Sequence, residues 1–291
     1  MKNKISLKQV IHHNNFLRIP YVYDGISAKV AEMVGFSAVG LSGNAVSASL
    51  LGVPDLGMLG MSENVNHAKN IAQNISIPLI SDADTGYGGI MNVIRTVREF
   101  ESAGISAIHI EDQVTPKRCG LLPQGIPVIT ESEQIVKIKA ATDARKSSEF
   151  MIIARTDSLS THGIEEACKR AKSYIQAGAD AVIIMGANTP AELIFASDVV
   201  KAPLVCVIQE TSPTNELTDD FLKNCGCVLA LHAGTARYAA IKALTDVFTV
   251  LKEKGHTRSI SHMMSTFDEY NNVLELDKWL EIEKNYLGTL S

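Results

Sequence analysis

The chain has 291 residues, 46% of them hydrophobic and 20% charged, with a formal net charge of −5. That balance permits a large core and argues against a nucleic-acid binder, which would carry a basic surface. No apolar run approaches the ~18 residues of a membrane span, and Met1 to Pro20, with His12, His13, Asn14 and Asn15 in its middle, lacks the apolar stretch of a signal peptide.

Short apolar runs alternate with amphipathic stretches along the chain. The pattern predicts a strand over Arg18–Tyr23, a helix over Ser27–Val34 and a strand over Ser37–Leu41. A helix over Glu63–Asn74, a strand over Pro78–Asp82, a helix over Asn92–Ala103 and a strand over Ala107–Glu111 follow. Next come a helix over Glu131–Arg145, a strand over Phe150–Arg155, a helix over Ile164–Ala177 and a strand over Ala181–Met185. Helix Ala191–Val200, strands Leu204–Ile208 and Val228–Leu231, and helix Thr235–Lys252 complete the series. Most strands are continuous Val, Ile and Leu runs, as expected of strands buried on both faces. Ser62 and Thr130 are placed to cap the helices they precede. Gly35, Gly104 and Gly178 stand where helices stop, and each opens a similar run into the next strand.

Repetition of this unit predicts an α/β fold, a (β/α)8 barrel of the TIM type. The rival, an open doubly wound sheet, would want a G-x-G-x-x-G loop, which is absent. The barrel is complete by residue 255, giving a catalytic domain over 1–255 and a helical extension over 256–291. Within that extension His262–Leu287 reads as helical, and its apolar face (Phe267, Tyr270, Val273, Leu274, Leu276, Trp279 and Leu280) needs another surface to cover.

Active residues of such barrels stand at the C-terminal ends of the strands. Ser42-Gly43-Asn44 follows strand two, and Asp55 lies in the loop beyond it. Asp82 and Asp84 close strand three, two residues apart, so both can face the barrel mouth. Glu111-Asp112-Gln113 closes strand four, and Arg155-Thr156-Asp157 closes strand five. Converging carboxylates repel one another unless a cation lies among them. Oxygen ligands without a His/Cys cluster suit Mg²⁺ or Mn²⁺ rather than zinc. The bland alternative is that these acids cap helices or pair at the surface.

Arg155 matches a substrate carboxylate in two parallel hydrogen bonds, or serves a structural ion pair. Ser42 and Gly43 open a turn whose N–H groups can hold a carboxylate or oxyanion. Gln113 to Ile129 is a long loop containing Lys117-Arg118-Cys119-Gly120, of the kind that forms lids. Basic neighbours would lower the pKa of Cys119 and make it a proton donor or nucleophile; otherwise it is an exposed loop thiol. His109 reads as a core or supporting histidine, His232 stays open, and Met151 and Met185 read as core. Cys168 and Cys206 read as buried, inert thiols. Cys225-x-Cys227 lacks the second pair of a zinc site. An odd count of five cysteines without a leader predicts reduced thiols in the cytoplasm.

Asp82-Ala83-Asp84-Thr85-Gly86-Tyr87-Gly88, His109-Ile110-Glu111-Asp112-Gln113, Lys117-Arg118-Cys119-Gly120, Ala154-Arg155-Thr156-Asp157 and Ser47 to Asp55 resemble the isocitrate lyase/phosphoenolpyruvate mutase superfamily. The lysine-arginine-cysteine-glycine loop resembles the 2-methylisocitrate lyase-like branch, although one phosphonate-type mutase keeps it. The resemblance implies that Asp84 ligates Mg²⁺, directly or nearly so, with Asp55, Asp82 and Glu111 holding its waters. It implies that the metal binds a 2-oxo acid such as pyruvate, whose carboxylate is held by Ser42, Gly43 and Arg155. Cys119, on a gating loop, would protonate the departing carbanion, with Lys117 supporting that charge. A homotetramer with exchanged C-terminal helices is implied as well.

This sequence departs from the lyase pattern on the leaving-group side. There Leu121 stands for a histidine, Met185-Gly186 for a glutamate and Val207 for an asparagine; elsewhere Asn44 replaces a small glycine next to the carboxylate-binding turn. An apolar pocket does not compensate a buried carboxylate. The expectation is a Mg²⁺-dependent C–C lyase with an altered substrate, Asn188 and Gln209 being candidates to replace the lost polar groups. The alternatives are phosphonate mutase or hydrolase chemistry, oxaloacetate decarboxylation, and a non-catalytic barrel that binds an oxo acid.

Overall fold

A computed structural model describes residues 5–120 and 125–288. Its strands are β1 Leu17–Val22, β2 Val39–Leu41, β3 Leu79–Asp82, β4 Ala107–Glu111, β5 Met151–Thr156, β6 Ala181–Ile184, β7 Leu204–Ile208 and β8 Cys227–His232. They pair in chain order, all parallel, and β8 returns to β1 to close the barrel. The open-sheet alternative is thereby excluded.

The helices are α1 Leu7–Asn14, α2 Gly25–Val34, α3 Gly43–Val46, α4 Met61–Asn74, α5 Ile90–Ser102 and α6 Glu131–Ala144. They continue as α7 Leu159–Gln176, α8 Pro190–Val200, α9 Asp219–Asn224, α10 Thr235–Lys254, α11 Phe267–Val273 and α12 Leu276–Leu287. Gly35, Gly104 and Gly178 take φ of 101°, 85° and 110°, the left-handed geometry that ends a helix without a Cβ clash. Thr130 caps α6 in a box with Glu133. Ser62, in contrast, lies inside α4. Gly60 is the N-cap, and the Glu63 carboxylate reaches back 2.8 Å to satisfy the Gly60 N–H.

Three short helices, α1, α3 and α9, go beyond the sequence pattern. They are too short to show a helical period, although Ser6 and Gln9 form a capping box before α1. The tail is not one helix. Thr266 starts a fresh helix with its own capping box, and Glu275 at φ 57° breaks the chain between α11 and α12.

Two apolar layers form the core. One lies between barrel and helices, around Phe100, Ile108, Ile138, Ile152 and Tyr174. The other fills the barrel with Leu17, Ile19, Tyr21, Ile80, Ala107, Met151, Ile153, Ala181, Ile183, Val205, Leu229 and Leu231, and α1 plugs the lower end with Leu7 and Val10. No residue of α10 is buried. Ile241, Leu244, Phe248, Trp279 and Leu280 are exposed on α10 and α12. Among the described residues no helix is long and apolar enough to cross a membrane.

The barrel interior tolerates little added volume. A Cβ at Gly40 would lie 2.0 Å from the Tyr21 ring. Gly40→Ala is expected to destabilise the fold by about 1–3 kcal/mol through overpacking, read as a lowered urea midpoint with an unchanged slope.

Candidate active site

Side chains alternate along a strand, so the residues that continue the inward set emerge together at the barrel mouth. Ile80 leads to Asp82, Ala107 to His109 and Glu111, Ile153 to Arg155, and Ile183 to Met185. Val205 leads to Val207 and Leu231 to Ala233 by the same parity. Tyr21, Ser42, Asn44, Asp55, Cys119, Gly120 and Arg237 complete the lining of a cleft with an empty volume of about 550 Å³, its open mouth included.

One side of this cleft, lined by Asp55, Asp82 and Arg155, backs onto an ionic cluster. Lys117 Nζ stands 2.7 Å from Asp55 Oδ1 and 2.8 Å from Asp84 Oδ1. Arg155 Nη1 pairs with Glu111 Oε2 at 2.9 Å, and its Nη2 with Asp157 Oδ1 at 2.7 Å. The Gly43 N–H donates to Asp82 Oδ2 at 3.3 Å. A Cβ on Gly43 would meet Asp84 Oδ1 at 2.8 Å and Lys117 Nζ at 3.3 Å, so only glycine lets the backbone lie against this cluster. The chain bends sharply to deliver it: Asp84 and Tyr87 both hold positive φ, 48° and 58°. Such strain persists only where the surroundings fix it. Here the Glu111 N–H holds the Asp84 carbonyl at 2.9 Å, and Asn64 Nδ2 donates to the Asp82 carbonyl and to the Tyr87 hydroxyl oxygen, each at 2.8 Å.

Burial raises Asp84 to about 6, with the nearby Asp82 and Asp55 charges adding to the rise and Lys117 opposing it. Burial also pushes Glu111 well above the carboxylate range, against the pull of Arg155 and Lys117. For Asp82 burial is outweighed by Lys117 and Arg155, and the net shift is downward. Burial holds His109 near 4, helped by Arg155, so its ring is neutral at pH 7.

Among the described residues, no three His, Cys, Asp or Glu side chains are arranged to chelate a metal by themselves. The donor set nevertheless fits a hard, hydrated cation. Five buried carboxylates (Asp55, Asp82, Asp84, Glu111 and Asp157) face two cations, Lys117 and Arg155. Asp82 Oδ1 and Glu111 Oε1 are buried without a hydrogen-bond partner. Mg²⁺ keeps several waters and takes only one or two carboxylates directly, which suits oxygens spaced too widely for full chelation.

The other residues expected at the site divide as follows. Ser42 caps α3, its Oγ accepting from the Ala45 N–H at 3.0 Å. Arg155 has both terminal nitrogens engaged, which leaves Nε without a partner. The Cys119 N–H donates to the Asp55 carbonyl at 3.1 Å, and its Sγ accepts from Asn44 Nδ2 at 3.4 Å. The basic neighbours of Cys119 do not turn toward it, because Lys117 serves the carboxylates and Arg118 Nη1 the Leu56 carbonyl at 3.1 Å. Met185 is wall, not core, and forms an apolar side with Ile183, Val207, Leu231 and Ala233. Asn188 and Gln209 do not line the cleft. Leu121 lies outside the described residues. His232 is drawn away to Arg18 Nη1 at 2.9 Å.

Arg237 was not singled out by sequence. It stands in the first turn of α10, shortly after the last strand, with Nη1 3.5 Å from Ser42 Oγ and no carboxylate paired to it among the described residues. Its place just past a strand end was the available signal. Asp112, behind the site, is fully buried. It accepts from Thr156 Oγ1 at 2.7 Å, the Asp157 N–H at 2.9 Å and Tyr174 Oη at 2.8 Å, fixing the end of β5.

The sequence profile described as phosphoenolpyruvate phosphomutase matches residues 7–251. The chain is 37% identical to 2,3-dimethylmalate lyase of Eubacterium barkeri, over 98% of this chain and 99% of that one. It is 40% identical to a chloroplastic carboxyvinyl-carboxyphosphonate phosphorylmutase of Arabidopsis thaliana (96% and 83% covered), and 37% identical to 2-methylisocitrate lyase of Shewanella oneidensis (90% and 89%). Among solved structures it is similar to a 2,3-dimethylmalate lyase, with TM-score 0.89 and 33% identity over 96% of this chain and 94% of that one. It is likewise similar to a phosphonopyruvate hydrolase in complex with oxalate and Mg²⁺, with TM-score 0.87 and 31% identity over 97% and 98%.

Lys117 is 5% exposed and is the nearest counter-charge of Asp55 and Asp84. Lys117→Met should cost about 3–5 kcal/mol, as expected when one partner of a buried ion pair is removed. Urea unfolding in EDTA measures this loss; a loss under 1 kcal/mol would show that the carboxylates do not depend on the ammonium.

Proposed function

The chain belongs to the isocitrate lyase/phosphoenolpyruvate mutase superfamily, an enzyme family of lyases and mutases, and from that premise we propose that it is a Mg²⁺-dependent carbon–carbon lyase. It releases a 2-oxo acid such as pyruvate from a small 2-hydroxy carboxylate. The observation that carries this reading is the division of one cleft into an oxygen-rich side and an apolar side, with the Cys119 thiol at its mouth.

Asp84, with Asp55, Asp82 and Glu111, would hold Mg²⁺, which when bound supplies Lewis-acid stabilisation of the 2-oxo acid's oxygens as the bond breaks. The Ser42–Gly43 turn and Arg155 orient the carboxylate beside that oxygen, Arg155 through Nε and the field of its guanidinium. As the 2-hydroxyl gives up its proton to water and becomes the 2-oxo oxygen, the carbon–carbon bond breaks and leaves an electron pair on the carbon next to the second carboxylate. Cys119 Sγ–H delivers a proton there as general acid, and Lys117 keeps the neighbouring carboxylates in place.

Charge arithmetic narrows the leaving half. Cleavage of 2-methylisocitrate to pyruvate releases a dicarboxylate, whereas cleavage of 2,3-dimethylmalate releases a monocarboxylate. Arg237 is the one cation lining the cleft with no carboxylate paired to it among the described residues, enough for one carboxylate. A 2-alkylmalate therefore fits better than 2-methylisocitrate. The phosphorylmutase at 40% identity keeps phosphonate chemistry as the second reading.

The exposed apolar faces of α10 and α12 support a homotetramer that exchanges its C-terminal helices. The left-handed C-cap at Gly255 (φ 71°) supports a division into a barrel over 1–255 and an extension over 256–291. The five free thiols suit the cytoplasm.

Pyruvate release from 2,3-dimethylmalate and 2-methylisocitrate, each with Mg²⁺ and with EDTA, tests the assignment. Turnover of the first, abolished by EDTA and lost in Cys119→Ser, is expected. Cleavage of 2-methylisocitrate at ~10 s⁻¹, an ordinary enzyme rate, would refute the altered specificity, and a Cys119→Ser enzyme active on phosphonates would favour the second reading. Light scattering should give four times the 31.4 kDa chain mass, and Phe248→Glu with Trp279→Glu should yield smaller species; a wild-type monomer refutes the assembly.

A further inference from the structure

The Cys119 sulfur is held by a neighbour that the reaction scheme above does not use. Asn44 lies in the first turn of α3, where the Ser42 cap and the Val46 N–H to Ser42 carbonyl bond of 3.0 Å fix its backbone. The backbone of Cys119 is fixed separately, by its N–H to the Asp55 carbonyl. Gly120 then packs so closely that a Cβ there would lie 2.5 Å from Arg155 Nη2 and 2.6 Å from Asp157 Oδ1. The Asn44 amide spans these two anchored segments, with Nδ2 3.4 Å from Sγ, and both side chains line the cleft. The Lys117 and Arg118 charges point elsewhere.

We propose that Asn44 is a positioning residue for the general acid, donating a hydrogen bond to Cys119 Sγ that directs the S–H toward the reacting carbon and stabilises the sulfur once its proton has left. The inference rests on the lyase reading. In the step concerned the Cys119 S–H bond breaks and the carbanion's electron pair takes the proton to form C–H. The sulfur keeps the bonding pair as a thiolate and regains a proton from water after product release. A donor to a neutral thiol contributes little, whereas a donor to a thiolate is charge-assisted and about twice as strong. The stabilisation therefore grows as the proton moves, which lowers the barrier without tightening substrate binding. The glycine that the family resemblance would place at this position has no such donor.

Two variants separate the hydrogen bond from the shape of the side chain. Asn44→Leu keeps a similar volume without a donor, and Asn44→Asp keeps the shape and replaces the donor with a repelling charge. Relative to the native enzyme, we expect kcat to fall about tenfold in Asn44→Leu and further in Asn44→Asp, with KM for the 2-hydroxy acid within about twofold in Asn44→Leu. Iodoacetamide alkylation of Cys119 in the Mg²⁺-loaded, substrate-free enzyme provides a readout that needs no turnover. Cys168, Cys206, Cys225 and Cys227 are buried and do not compete. Labelling should slow about threefold or more in both variants. Alkylation within twofold of the native rate in both, or a loss confined to KM, overturns the proposal. If the native enzyme cleaves no 2-hydroxy acid, the lyase reading fails by itself, and alkylation still decides whether Asn44 holds the thiol.

Discussion

Five buried carboxylates share two buried cations at the mouth of this barrel, and the surrounding structure is arranged to tolerate that imbalance. An isolated buried charge costs several kcal/mol after relaxation. Asp55, Asp84, Glu111 and Asp157 therefore pair with Lys117 or Arg155, and Asp82 lies within the field of both. The upward displacement of Asp84 and Glu111, driven first by burial, is the electrostatic mark of a place short of positive charge. A divalent ion would meet that need. The strain at Asp84 belongs to the same arrangement: a side chain at the end of β3 is turned into the mouth by a left-handed backbone, held from behind by Asn64 and β4.

The opposite wall obeys a different rule. Ile183, Met185, Val207, Leu231 and Ala233 offer no hydrogen-bonding side chain to a bound anion, and Arg237, whose Nη1 stands 3.5 Å from Ser42 Oγ, lines the same cleft with no carboxylate paired to it among the described residues. The polar side is specified in detail, whereas the apolar side selects by size and by the absence of partners. Under the proposed lyase reading, a leaving fragment with fewer carboxylates suits that wall better, because each unpaired carboxylate is penalised by desolvation. Cys119 lies between the two walls, its backbone tied to the carboxylate loop through Asp55 and its sulfur to Asn44.

A second supporting layer lies behind the ionic side. Asp112 joins β4 to β5 and α7 through Thr156, Asp157 and Tyr174, and Arg170 reaches it at 3.4 Å while also donating to the Ile129 carbonyl at 2.8 Å. That network fixes Asp157, which in turn orients Arg155. Through Arg170 it also holds the Ile129 carbonyl just before α6.

The strands were legible because residues buried on both faces form unbroken apolar runs, and β4 and β7 match the pattern residue for residue. The acidic set was legible because strand ends in a parallel barrel share one rim, which brings Asp82, Asp84, Glu111 and Arg155 together. Helix ends were less visible: Glu63 rather than Ser62 satisfies the start of α4, and Glu275 breaks a tail whose apolar spacing reads as continuous. By itself the sequence determined the barrel, its period-two inward set and the identity of the acids, because these follow from local patterning along each strand. Only the tertiary structure decided which cation each acid meets, where Arg237 points, and that Asn44 rather than Lys117 or Arg118 attends the Cys119 sulfur. Those outcomes depend on side-chain directions across strands far apart in the chain, which no local pattern encodes.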